Sequence, residues 1–175
     1  MEPDYSWVSQ ARLLALIGAA VLLGAVIGFN REAENKPAGL RTHMLVAGAA
    51  ALIAVIGRTV FFDAGGTAGD PNRPLQAVIM GVGFLGAGTI LRRPEDFRVE
   101  GLTTAASLFF TAAIGLAAGF DLVPLAVGAA AIVTAVLALL PMLERRLIDQ
   151  DDADHRGGPH DQTGRQNSGR RGKRS

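Results

Sequence analysis

The sequence predicts an all-α membrane protein, with about five transmembrane helices packed through Gly/Ala faces and a disordered cytoplasmic tail. Composition and charge spacing predict it. Of 175 residues, 49% are hydrophobic, yet aromatics make up 6% and 22 residues are glycine. A water-soluble core this apolar leans on large aromatic side chains, whereas Gly/Ala-rich runs suit helices that pack closely in lipid. Charge is absent from residues 13–30 and 75–91, and from 102 to 143 the one charged residue is Asp121. The chain has no cysteine, so disulfides, thiolate metal sites and cysteine nucleophiles drop out.

The first span covers residues 13–30. Glu2 and Asp4 precede it and no Lys or Arg comes before Arg12, so it reads as a retained span and not as a cleavable signal with a basic start. The second lies at 40–60. Its uncharged centre, 44–57, is short for a bilayer, and Arg41 and Arg58 sit at its two ends, where long side chains can reach outward. The third, 75–91, follows Asp70-Pro71-Asn72-Arg73, with Asp70 suited to an N-cap and Pro71 to a first helical turn. The apolar stretch 102–143 would extend about 63 Å as one helix, roughly twice the hydrocarbon thickness. It therefore folds back, at Gly119-Phe120-Asp121 with Pro124 near the next helix start.

Basic residues set the expected orientation. Arg31, Lys36 and Arg41 lie between the first two spans, Arg92, Arg93 and Arg98 between the third and fourth, and eight more follow Leu143, which accounts for 14 of the 17 Lys and Arg. By the positive-inside rule these regions are cytoplasmic and the N-terminus is outside. The domain reading is a five-span membrane domain at 1–147 and a polar, basic tail at 148–175, too poor in apolar residues to fold alone. The tail's Arg170–Arg174 end is mainly a solvated terminus; contact with anionic lipid heads is the alternative. Without aromatic interleaving, nucleic acid is not an expected partner.

Gly81-Val82-Gly83-Phe84-Leu85-Gly86 fits the G-x-G-x-x-G dinucleotide pattern, but that fingerprint needs a preceding strand and a later acidic residue. Inside an uncharged span, Gly83, Gly86 and Gly88 read as a helix-packing face, as do the G-x-x-x-G pairs Gly24/Gly28 and Gly115/Gly119. Thr103, Thr104, Ser107 and Thr111 recur at helical spacing; such hydroxyls mostly bond back to helix carbonyls or join helices, and lining a polar path is the lesser alternative. His43, His155 and His160 do not have metal-site spacing, and whether magnesium is bound stays open. No cofactor, nucleophile elbow, zinc-protease pair or phosphate loop is indicated, so no catalytic residue is expected.

The loop between the first two spans is the candidate functional site: Asn30, Arg31, Glu32, Lys36, Pro37, Gly39, Arg41 and Thr42, with His43 beyond. It has two readings. One is a positive-inside topology signal with its own ion pairs; the other is a cytoplasmic-face site, since polar groups at membrane depth are costly and tend to be functional. In either, Glu32 is expected to pair with Arg41 or Lys36 across the turn that Pro37 and Gly39 allow.

Three segments in order, NREAENKPAGLRTHMLV at 30–46, GVGFLGAGTILRR at 81–93 and GLTTAASLFFTAAIGLAAG at 101–119, resemble the MgtC/SapB family of bacterial inner-membrane proteins, as do DPNR at 70–73 and LERRL at 143–147. The resemblance implies a five-span module linked to growth in low magnesium and survival inside macrophages. It implies a non-enzymatic regulator of membrane potential or ATP synthase, with a component of Mg²⁺ transport as the alternative. Implied partners are membrane lipids and a membrane protein, ATP synthase or a transport ATPase; a homo-oligomer is open. Longer members carry a folded cytoplasmic domain where this chain has its tail. The resemblance brings no catalytic residue and turns the reading of the loop toward function.

Overall fold

The computed structural model describes residues 7–63, 72–92 and 99–156. Among the described residues five helices run in order: α1 (Trp7–Ala33), α2 (Leu40–Asp63), α3 (Arg73–Thr89), α4 (Leu102–Gly119) and α5 (Val123–Arg156). A two-residue antiparallel pair, β1 (Leu91–Arg92) with β2 (Val99–Glu100), joins α3 to α4, an element with no clear signal in the sequence. Four helices carry segments long and apolar enough to cross a membrane: Trp7–Ala33, Leu40–Phe61, Leu102–Gly119 and Val123–Pro141. The fifth expected span is α3, with 17 residues, or about 25 Å of helix.

Two details differ from expectation. Helix α3 starts at Arg73 behind an Asn72 N-cap, with Pro74 in its first turn. Helix α5 passes Pro141 and continues to Arg156, so residues 148–156 are helical where a tail was expected. Once a helix is nucleated each further residue adds a hydrogen bond, and residues 148–154 include no glycine or proline to stop it. The expected disorder of the remaining tail lies outside the described residues, as do Asp70 and Pro71.

The described residues up to Ala138 form one compact unit, and the last part of α5, from Leu139 on, belongs to a second. In the first, α2 is wedged between α1 and α4. The reason is steric. A Cβ on Gly24 of α1 would lie 2.5 Å from the His43 carbonyl oxygen and 2.9 Å from the Ala47 Cβ, and one on Gly28 would lie 2.7 Å from the Leu40 Cα. From the other side, a Cβ on Gly115 of α4 would run into the Ala47 carbonyl, and one on Gly119 would lie 2.5 Å from the Ala51 carbonyl oxygen. Both G-x-x-x-G pairs thus serve contacts within the chain: Gly115 and Gly119 against the α2 stripe Ala47, Ala51 and Ala54, and Gly24 and Gly28 against Ala47, His43 and Leu40 of the same helix. With lipid tails as apolar as leucine, close van der Waals contact is what drives such association.

Helix α5 approaches less closely and adds Ala126, Ala130, Val133 and Leu137 to the core formed by Ala20, Ile27, Ala47, Ala51 and Ile114. Helix α3 leans on the bundle through a narrow stripe, Val78, Val82 and Gly86, facing α4 residues such as Leu108 and Ala112. A Cβ on Gly86 would make ordinary contact with the Ala105 Cβ, at 3.4 Å. The packing expected of Gly83 and Gly88 is not made within the described residues, since a Cβ on either would meet nothing within 4 Å. Those two glycines lie off the stripe that faces α4.

Candidate functional site at the Arg31 end of the bundle

The site is built on a helix stop. Asn35 takes the left-handed conformation (φ 54°), and with it the Lys36 N–H donates to the Arg31 carbonyl at 3.0 Å and the Asn35 N–H to the Glu32 carbonyl at 3.0 Å. This is a Schellman stop, and asparagine is among the few residues besides glycine that tolerate its backbone. Pro37 follows, where a helix cannot resume. The same motif closes α4 at the other end of the bundle: Asp121 has φ 69°, with Leu122 N–H donating to Ala117 and Asp121 N–H to Ala118.

The chain then turns into α2. Glu32 does not pair with Arg41 or Lys36. Its carboxylate accepts the Leu40 N–H at 2.7 Å and so caps the start of α2. An anion at a helix N-terminus satisfies free N–H groups and faces the positive end of the helix dipole. A side chain on Gly39 would collide with this carboxylate, at 2.7 Å from its Oε2. Glu32→Ala is expected to cost about 1 kcal/mol of bundle stability, the usual range for a lost cap, read as a lower thermal midpoint in detergent; an unchanged midpoint would remove the cap from the fold's stability.

The ion pair of this loop is a different one. Arg31 donates from Nη1 to Glu34, three residues on and just past the end of α1, at 3.3 Å. Arg31 is 2% exposed, although it is a cation in the last turn of a membrane helix. Its Nη2 reaches Thr104 Oγ1 of α4 at 3.5 Å, and its Nε is buried with no partner. The Asn30 Oδ1 is likewise buried and unpaired.

Twelve residues on from Arg31, His43 of α2 is fully buried. Its Nδ1 donates to the Gly39 carbonyl at 2.9 Å, and its Nε2 lies 3.2 Å from Ser107 Oγ of α4. Ser107 Oγ in turn donates to the Thr104 carbonyl at 2.8 Å, and Thr111 Oγ1 to the Ser107 carbonyl at 2.8 Å. The hydroxyls on α4 therefore do both things expected of them: they bond back along their helix and they join it to α1 and α2. Thr103 is exposed and takes no part in the buried cluster.

Of the residues singled out from the sequence, Arg31 is brought into this cluster and Glu32 and Gly39 into the turn that supports it. Lys36, Pro37, Arg41 and Thr42 are exposed. Sequence reading missed Glu34 as the partner of Arg31, for which the i, i+3 spacing was the available signal. It also missed the junction of His43 with Ser107, 64 residues apart, for which local pattern offers none. The cluster is cationic and rich in hydroxyls. Among the described residues no group of three or more His, Cys, Asp or Glu could hold a metal ion, and the buried Arg31 charge opposes a cation beside Thr104.

At the opposite end, Asp121 accepts from Arg12 of α1 and lies 3.9 Å from Arg58 of α2. The ends of three helices are thus tied by one carboxylate.

These features define a multi-pass helical membrane protein with a buried polar knot at one end of its glycine-packed bundle. The chain belongs to the MgtC family, whose model matches residues 17–146. It is 41% identical to "Protein MgtC" of Brucella abortus (strain 2308) over 134 residues, 77% of this chain and 53% of that protein. It is 37% identical to "Putative magnesium transporter YhiD" of Escherichia coli (strain K12) over 79% of this chain and 65% of that protein. With "Protein SapB" of Bacillus subtilis (strain 168) it shares 33% identity, over 81% of this chain and 62% of that protein. The chain thus spans a little over half the length of the first of these relatives. No solved structure matches.

Proposed function

We propose that this chain is a non-enzymatic regulator in the bacterial inner membrane that supports growth when magnesium is scarce. The α1–α2 loop would face the cytoplasm and meet a membrane-protein partner. The observation that carries this reading is the division of labour in the loop. Arg31, Glu32 and His43 are used up in holding two helix ends and α4 together, which leaves Lys36, Pro37, Arg41 and Thr42 exposed on a fixed turn. A rigid turn with exposed basic residues is suited to recognition, because little entropy is lost when it binds. Basic residues on that side also support a cytoplasmic loop and an outside N-terminus. ATP synthase or a transport ATPase is the class of partner, and membrane potential the quantity regulated; survival inside macrophages follows from growth at low magnesium.

A second reading, a component of Mg²⁺ transport, is favoured by the name of the Escherichia coli relative. The buried cluster argues against it, since Mg²⁺ takes oxygen ligands and carboxylates and here Arg31 already occupies the nearest one, Glu34.

Complementation of a deletion strain at limiting Mg²⁺, with Mg²⁺ flux measured in proteoliposomes, tests both. Arg41→Ala is expected to abolish growth support while membrane abundance and thermal midpoint hold, because this exposed side chain carries no described ion pair. Proteoliposomes are expected to show no flux above empty vesicles. Full complementation by Arg41→Ala would return the loop to a topology signal, and saturable flux would establish transport.

A further inference from the structure

The hydrogen bonds around His43 fit each protonation state of its ring with a different orientation of the Ser107 hydroxyl, and this assigns it a role. Carbonyl oxygens only accept, so the 2.9 Å contact with Gly39 requires the ring to carry a hydrogen on Nδ1. When Ser107 Oγ–H donates to the Thr104 carbonyl, 2.8 Å away, an oxygen lone pair is turned toward Nε2 at 3.2 Å. A neutral ring with its hydrogen on Nδ1 presents a lone pair at Nε2 as well. Two lone pairs then face each other unless the Ser107 hydroxyl rotates away from Thr104 and donates to Nε2. A charged ring has the opposite need: Nε2–H donates to Ser107 Oγ, and Ser107 donates to Thr104.

We propose that His43 and Ser107 form a proton-operated latch, in which a proton taken from solvent onto Nε2 turns the Ser107 hydroxyl and loosens the α1–α2 loop. The loosening follows from charge. The cation in the same cluster is Arg31 of α1, whose Nη2 reaches Thr104, the residue whose carbonyl meets Ser107, and its ion-pair partner Glu34 is already engaged. From α4 the ring meets Ser107, a neutral hydroxyl, and on its own helix Arg41 is exposed. A second positive charge in this cluster has no free counter-ion and is strongly repelled at low dielectric. The ring is also fully buried, so it exchanges its proton with water only when something moves. The loop that supplies Gly39 is the nearest element to move. Because the charged ring is less costly in an open loop than in a closed one, the open population grows as pH falls.

This goes beyond the proposed function by saying how the loop is regulated. Its biological use rests on the loop being the working surface, but the latch itself is tested without a growth assay. His155→Gln and His160→Gln together leave His43 as the one histidine of the full-length chain. In lipid nanodiscs, ¹⁵N imidazole spectra and backbone amide exchange would be followed from about pH 8 to about pH 4.5, across the usual histidine range. The expected neutral form has its proton on Nδ1, the tautomer that free histidine disfavours in water. On acidification Nε2 gains a proton, and amide exchange over 35–41, corrected for its intrinsic pH dependence, speeds by about tenfold, as for a local opening. A neutral ring protonated on Nε2, a ring still neutral at the acid end in folded protein, or a charged ring with unchanged loop exchange would each overturn the latch.

Discussion

Replacing Gly115 by valine is expected to leave no folded monomer in mild detergent. The first carbon of any side chain at Gly115 would run into the Ala47 carbonyl of α2, with the Ala47 Cα 3.0 Å away. Backbone cannot swing aside as a flexible side chain can, so α2 and α4 would have to separate. Separation would also undo the contacts of Gly119 with Ala51 and of Ser107 with His43. Overpacking a core commonly costs 1–3 kcal/mol; a clash with backbone at the centre of three helices belongs with the rarer losses of about 4 kcal/mol or more. That is a large share of a domain's usual 5–15 kcal/mol. Gly83→Val is the control, since that position opens onto empty space, and its cost is expected within about 0.5 kcal/mol. Size-exclusion profiles and thermal midpoints in detergent separate the two. A folded Gly115→Val protein with an unshifted midpoint would mean that α2 and α4 do not meet at Ala47.

Removing Glu34 is expected to harm the bundle more than removing Arg31, although they form one ion pair. The Arg31 side chain is 3% exposed and the Glu34 side chain 29%. Without Glu34, the guanidinium keeps one long bond to Thr104 and stays buried with its charge uncompensated. Losing one partner of a buried pair costs about 3–5 kcal/mol, and Glu34→Ala is expected near the lower end because the pair sits at a helix end. In Arg31→Met, by contrast, the carboxylate that remains can turn to water, and methionine refills the space of the arginine stem; about 1 kcal/mol is expected. The double variant should resemble Arg31→Met. Equal losses for the two single variants, measured by unfolding in detergent, would show that Arg31 is solvated and not part of a buried knot.

The five helices were legible because the bilayer simplifies the problem. Span length is fixed by membrane thickness, and an uncharged run such as 13–30 or 75–91 can be little else. The fold-back at Gly119-Phe120-Asp121 was legible too, since 42 apolar residues cannot cross once. The glycine pairs marked close approach, and where they sit in the bundle is a tertiary fact. Gly24 and Gly115 turn out to press on the same residue, Ala47, from opposite sides, while Gly83 and Gly88 meet nothing.

The loop divides in the same way. Its location and its mixture of charges are sequence properties. Which charge meets which partner is not, because neighbours in a loop differ in direction by small backbone angles. The left-handed Asn35 and the stop it makes turn Glu32 toward Leu40, Arg31 inward and Arg41 outward. The sequence by itself determined that this chain is a bundle of membrane helices with a basic loop, since hydrophobicity and charge act on each segment separately. The tertiary structure alone decided that Arg31, His43 and Ser107 form one buried polar knot. Their meeting depends on how three helices are rotated about their axes, and that rotation is set by the steric fit of Gly24, Gly28, Gly115 and Gly119 against α2.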